Sequence, residues 1–184
     1  MNDNDRRVMK TKKSLQSALA RLLNKKELHL ITVKELTIEA DVHRATFYTH
    51  YKDIYDLYEQ MEDGLLADLR EIMSGSLPKN YRSKHEMIVD YVYSDTELAA
   101  ALFGKTDNKP FLAKVYELLE QEYLEMWKAE DGLEEVTEEI RYITTYHIQG
   151  SMAVIARWVA GGFKDNKEEI IEMIRKLDMN VDKL

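Results

Sequence analysis

The sequence predicts an all-α fold, with a three-helix N-terminal domain carrying a helix-turn-helix, joined by a long fourth helix to a helical C-terminal domain. Three observations predict it. The composition is 45% hydrophobic and 33% charged with only 2 Pro and 7 Gly among 184 residues, which suits helices far better than sheet or disorder. Apolar residues recur every three or four positions along almost the whole chain. Helix-start signals stand where those stripes begin.

Val8, Leu15, Ala18, Leu19, Leu22 and Leu23 place a first helix over about Asp5–Asn24, its other face rich in Lys. Lys25-Lys26-Glu27 ends it, and Leu28, Leu30 and Ile31 are expected to pack a short connection against the core. Thr32-Val-Lys-Glu35 has the form of a capping box, in which a hydroxyl and a carboxylate reciprocally satisfy backbone N–H groups at a helix start. Leu36 and Ala40 continue that second helix; Asp41-Val42-His43 interrupts it, and a short third helix follows through Phe47 to Tyr51. Asp53 and Asp56 suit the start of a fourth, whose stripe of Ile54, Leu57, Met61, Leu65, Leu69 and Ile72 runs to the breaker Ser74-Gly-Ser-Leu-Pro78. Further helical patterns occupy about Lys84–Tyr93, Asp95–Phe103, Pro110–Ala129, Val136–Val159 and Lys167–Leu177. Asp107-Asn108-Lys109-Pro110, Asp131-Gly132 and Gly161-Gly162 separate the last four. This divides the chain into domains 1–52 and 53–184, with 53–73 as the connecting helix.

Charge is unevenly spread. Residues 1–55 hold 11 Lys/Arg against 7 Asp/Glu, a balance of +4, which leaves −12 for the remainder of a chain whose net charge is −8. A basic head on an acidic body suits a nucleic-acid partner for the head alone. Clusters such as Arg6-Arg7 and Lys12-Lys13 also serve as solvated helix faces, and Arg6, Arg7 and Lys10 read either as a minor-groove arm or as an idle charged terminus. No apolar run nears the ~20 residues of a membrane span, and the start Met-Asn-Asp-Asn-Asp is unlike a signal peptide, so the expectation is a cytoplasmic protein with no membrane partner. With 0 Cys there is no disulfide, thiolate metal site or cysteine nucleophile.

A helix-turn-helix needs apolar residues at the crossing, a small residue where the helices touch, and a turn residue that tolerates a left-handed conformation. Leu36, Val42 and Phe47 supply the first, Ala40 the second and Asp41 the third. The third helix then exposes Arg44, Ala45, Thr46 and Tyr48 while burying Phe47. That set fits a major groove: Arg pairs with guanine, Thr and Ala meet the thymine methyl, and Tyr donates to phosphate.

The run from Thr32 to Leu57, TVKELTIEADVHRATFYTHYKDIYDL, resembles the TetR/AcrR regulators at motif level, and the all-α remainder resembles them in architecture. The resemblance implies a homodimer that binds a palindromic double-stranded DNA operator and whose C-terminal domain takes a small-molecule effector. It assigns His43, Arg44, Ala45 and Thr46 to base reading and Thr32, Tyr48, His50 and Lys52 to phosphate contacts. Three positions depart from the family pattern: Asp41 stands for the usual turn Gly, Thr37 for a usual Ala, and His43 for the usual capping Ser. A repressor is the implied sense of regulation.

The segment 136–159 becomes apolar nearly all round after Gly150, so it needs cover on more than one side. Gly150, Ser151, Met152, Ile155 and Val159, with Ile170 and Ile174 of the last helix, are expected to form a four-helix interface with a second copy; an intramolecular core is the other reading. Tyr91, Tyr116, Tyr123, Trp127, Tyr146 and His147 are candidates to line an effector pocket, although each is equally a core residue. No cofactor or metal is expected. His85-Glu86-Met-Ile-Val89 lacks the second His of a zinc-protease helix, and there is no Gly-rich phosphate loop or Gly-x-Ser-x-Gly elbow. The chain therefore reads as a non-enzyme, the rival being a small-molecule-binding or enzymatic bundle that keeps the helix-turn-helix as scaffold.

Overall fold

The computed structural model describes residues 3–76, 83–104, 109–131 and 135–181. Leu77-Pro78, Asp107-Asn108 and Gly132, read above as parts of breakers, lie outside the described residues, as does the side chain of Trp127. Among the described residues the regular structure is entirely helical: α1 Asp3–Leu23, α2 Val33–Glu39, α3 Arg44–His50, α4 Ile54–Ser74, α5 Lys84–Ser94, α6 Thr96–Phe103, α7 Lys109–Asp131, α8 Glu138–Ala160 and α9 Lys167–Val181. A single 3₁₀ turn, Leu28–Leu30, links α1 to α2. None of these helices is long and apolar enough to cross a membrane. The chain forms two compact units, 1–64 and 65–184; the division falls inside α4, twelve residues past the domain boundary read from the sequence.

In the N-terminal unit, Leu15, Leu19, Leu36, Phe47 and Leu57 are fully buried, one stripe from each helix. The linker contributes less than its composition suggests. Only Ile31 of the apolar trio is buried, while Leu30 lies exposed at the tip of the 3₁₀ turn. The helix-turn-helix is held from outside the motif. Ser14 Oγ of α1 donates to the carbonyl of Ala40 (2.7 Å), and Arg21 Nε donates to Glu39 Oε1 (2.6 Å). Both bonds fix the end of α2 where the chain must turn.

The turn itself rests on Asp41, whose φ of 52° is left-handed. Asp and Asn reach that region more readily than other L-residues because the short polar side chain bonds locally. Asp41→Gly is therefore expected to be neutral to mildly stabilising, and Asp41→Val to destabilise the unit by about 1–2 kcal/mol, read as a shift in the urea midpoint.

In the C-terminal unit α8 packs against α6, α7 and α9, and α5 packs against α6 and α9. The core runs through Ile88, Leu102, Phe111, Val115, Leu119, Ile148 and Ile155. Gly162 (φ 75°) and Phe163 (φ 56°) turn the chain from α8 to α9. Trp158 stabilises that turn by donating Nε1–H to the carbonyl of Asp165 (2.9 Å), with Phe163 edge-on at 4.9 Å and Tyr93 stacked at 5.6 Å. An ion pair between Lys167 and Asp90 (2.6 Å) ties α9 to α5.

Candidate nucleic-acid interface

α3 is seven residues long and amphipathic. Phe47 (0% exposed) and Tyr51 face the core. His43, Arg44, Ala45, Tyr48 and Thr49 face out, and Thr46 and His50 are half-buried at the margins. Thr49 escaped the sequence reading, although its spacing four residues after Ala45 places it on the same face. Its hydroxyl donates to the carbonyl of Thr46 (2.7 Å).

Arg44 and Tyr48 are paired on this face. Arg44 Nη2 donates to the Tyr48 hydroxyl (3.1 Å), and the guanidinium carbon lies 5.5 Å from the ring centroid. The i,i+4 spacing makes this possible. Tyr48 accepts that bond and keeps its own proton to donate, while Arg44 retains most of its five N–H donors. The pair thus presents a fan of donors suited to guanine and phosphate oxygen.

Helix starts flank the motif differently from their sequence pattern. Thr32 Oγ1 accepts from the Glu35 N–H (3.2 Å), but the Glu35 carboxylate pairs with Lys26 Nζ, so only half of the reciprocal box forms. A nearby ammonium competes better for a carboxylate than a neutral N–H does. His43 occupies the N-cap of α3 without a side-chain capping bond, which leaves its imidazole at the surface. At α4, Asp53 Oδ1 accepts from the Asp56 N–H (2.9 Å) and Asp56 Oδ2 accepts from the Lys52 N–H (2.7 Å). That backbone bond, then Gln60, holds the Asp56 carboxyl below its ordinary pKa and fixes the exposed Lys52 at the end of the motif.

The buried ring of Tyr51 adds a further link: the half-buried Lys12 places Nζ 5.9 Å from its centroid, and burial raises the phenol pKa. α1 thus contributes three polar supports, Lys12, Ser14 and Arg21, to the helix-turn-helix.

The expected dimer set needs correction. Met152, Ile155, Val159, Ile170, Ile174 and Ser151 are buried within one chain, where α8 is covered by α6, α7 and α9. Side chains already withdrawn from solvent cannot be the surface that a partner covers. Of that set only Gly150 is exposed. The intramolecular core accounts for the rest. Two of the expected pocket residues line different cavities. Tyr91 lines a cavity of about 200 Å³ with Asp68, Asp95 and Phe103, whereas Tyr123 lines a separate one of about 650 Å³ near the end of α4. Tyr116 and His147 are half-buried, and Tyr146 is 62% exposed.

Sequence reasoning weighed His85 only as a zinc ligand. It is buried in the C-terminal unit against Tyr123, whose hydroxyl lies 2.9 Å from Nδ1. The Tyr91 hydroxyl donates to Asp68 (2.7 Å), and burial together with that carboxylate pushes its pKa well above the ordinary tyrosine value.

Comparison with known proteins places this geometry. Residues 79–179 match the TetR-type family described as "Transcriptional regulator C-terminal region". The uncharacterized HTH-type transcriptional regulator YxbF of Bacillus subtilis (strain 168) is 32% identical over 82 residues, 44% of this chain and 22% of that longer protein. A TetR transcriptional regulator from Streptococcus agalactiae 2603V shares the fold with a TM-score of 0.62 at 19% identity, covering 95% of this chain and 97% of its own. The fatty acid degradation regulator FadR from Bacillus halodurans aligns with a TM-score of 0.66 at 14% identity, covering 91% and 93%. Matched over more than half its length by the family and sharing its fold with such regulators, the chain belongs to the TetR family of transcriptional regulators.

Proposed function

We propose that the protein is a homodimeric repressor that reads a palindromic operator through α3 and leaves it when a small molecule occupies the C-terminal unit. The observation that carries the reading is the outward face of α3, with Arg44 and Tyr48 pre-paired above a fully buried Phe47. On this reading His43, Arg44 and Ala45 meet base edges, with Thr46 at the margin. Thr32, Tyr48, His50 and Lys52 hold the backbone.

The partner copy is proposed to cover the exposed stripe of α8 instead of its buried one. Tyr142 (73% exposed), Tyr146, Gly150 and Ala153 recur at helical spacing on that stripe, and Met173 and Leu177 are exposed on α9. Large exposed aromatics beside small residues suit close helix packing in a symmetric dimer. Tyr146→Glu is expected to shift sedimentation from dimer to monomer; an unchanged dimer at micromolar concentration would move the interface elsewhere.

Selection of binding sites from a random duplex pool tests the operator reading. The expected product is an inverted repeat whose half-site centres lie one helical turn, about 34–36 Å, or a multiple apart. Recovery of no common sequence would overturn it.

A further inference from the structure

The cavity of about 650 Å³ between the end of α4, the start of α5 and α7 contains a buried ammonium. Lys84 is 9% exposed. Its Nζ donates to the carbonyls of Ile72 (2.7 Å) and Gly75, both neutral acceptors at the end of α4. Among the described residues no carboxylate forms an ion pair with it. Burial alone pulls its pKa below the ordinary lysine value, and no neighbouring acid offsets that. A buried charge ordinarily carries an opposite charge, because desolvation is costly and neutral partners recover only part of it. The C-terminal carbonyls of α4 supply part here. An ammonium has three N–H donors and two are used.

The remaining walls define what an incoming anion must otherwise be. Met73, Met126, Ala129 and the Tyr123 ring are apolar, adaptable surface. The two acidic residues on the lining have cations of their own: Glu122 lies 3.8 Å from Arg70, and Glu125 lies 3.3 Å from Lys128. An anionic head at Lys84 therefore meets two carboxylates that already have positive neighbours.

We propose that this cavity takes an amphiphilic carboxylate, whose head accepts the third N–H of Lys84 and whose tail lies against Met73, Met126 and Tyr123. The proposal rests on the reading of the protein as an effector-responsive regulator and names the effector's chemical class. Because the same ammonium caps the last turn of α4, occupancy of the cavity and the hold on that turn pass through one group.

Calorimetric titration of the full chain with decanoate, 1-decanol and decyltrimethylammonium, each below its aggregation limit, tests it. Decanoate is expected to bind at least about tenfold more tightly than decanol, the scale of one charge-assisted hydrogen bond. Lys84→Met is expected to remove that preference while leaving decanol affinity within about twofold, and Lys84→Arg to keep it. Equal or tighter binding of decanol or the cation, unchanged decanoate affinity in Lys84→Met, or binding of none of the three overturns the proposal. Should Lys84→Met fail to fold by circular dichroism, the wild-type ranking decides alone. No DNA is present in the titration. Decanoate binding without operator release would contradict the repressor reading and leave this one standing; release by a ligand of another class would do the reverse.

Discussion

Phe47→Ala is expected to destabilise the N-terminal unit by about 3–5 kcal/mol, the usual cost of emptying a fully buried aromatic site. Phe47 is the anchor on which α3 rests: it contacts Tyr48 edge-on at 5.3 Å and Tyr51 at 5.7 Å, and no part of it reaches solvent. A unit of this size has a small stability margin, of the order of 5 kcal/mol, so the loss consumes most of it. Urea unfolding should then show an early transition for the N-terminal unit, with the later transition of the C-terminal unit retained. DNA binding should fall together with that early transition. Phe47→Leu, which keeps most of the volume, should cost far less. A loss under about 1 kcal/mol for Phe47→Ala would mean that α3 is supported elsewhere.

Arg44→Ala and Lys52→Ala are expected to weaken DNA binding in different ways. Arg44 stands on the outer face of α3, oriented by Tyr48, where a bidentate guanine contact is geometrically open to it. Its removal should cost about 1–3 kcal/mol on the preferred site and relax preference at one base position in each half-site. Lys52 lies just beyond α3, its backbone pinned to Asp56 and its side chain exposed. Its loss should weaken all sequences alike and lower the slope of log affinity against log salt by about one. Tyr48→Phe removes both the acceptor that orients Arg44 and a proposed phosphate donor without altering charge, so it should lower affinity while leaving the salt slope unchanged. Identical behaviour of the Arg44 and Lys52 variants would contradict the assigned division of roles.

Much of the fold was legible because its elements announce themselves locally. The stripes of α1 and α4, the Thr32 cap and the turn at Asp41 are all encoded within a few residues, and periodicity reads such signals directly. Contacts between distant residues were not legible. Nothing near Ser14 or Arg21 signals that they hold Ala40 and Glu39, 26 and 18 residues away. Glu35 was expected to close its own capping box, yet Lys26 from the preceding linker takes its carboxylate. The face of α8 was misjudged for a related reason. Beyond Gly150 the helix is apolar on nearly every side, so periodicity could not say whether Met152, Ile155 and Val159 meet their own chain or a copy; α6, α7 and α9 answer that. Lys84 looked like an ordinary first residue of a helix. Only the fold brings it beneath the last carbonyls of α4 and removes it from water.

The central claim is that the outward face of α3 distinguishes one DNA sequence from another. Fluorescence anisotropy with the selected inverted repeat and a shuffled duplex of equal length, at about 150 mM salt, measures that most directly. The account predicts at least about a thousandfold preference for the selected site, abolished when Arg44 and Tyr48 are both replaced by Ala. Equal affinity for the two duplexes, with the same salt slope for each, would contradict it.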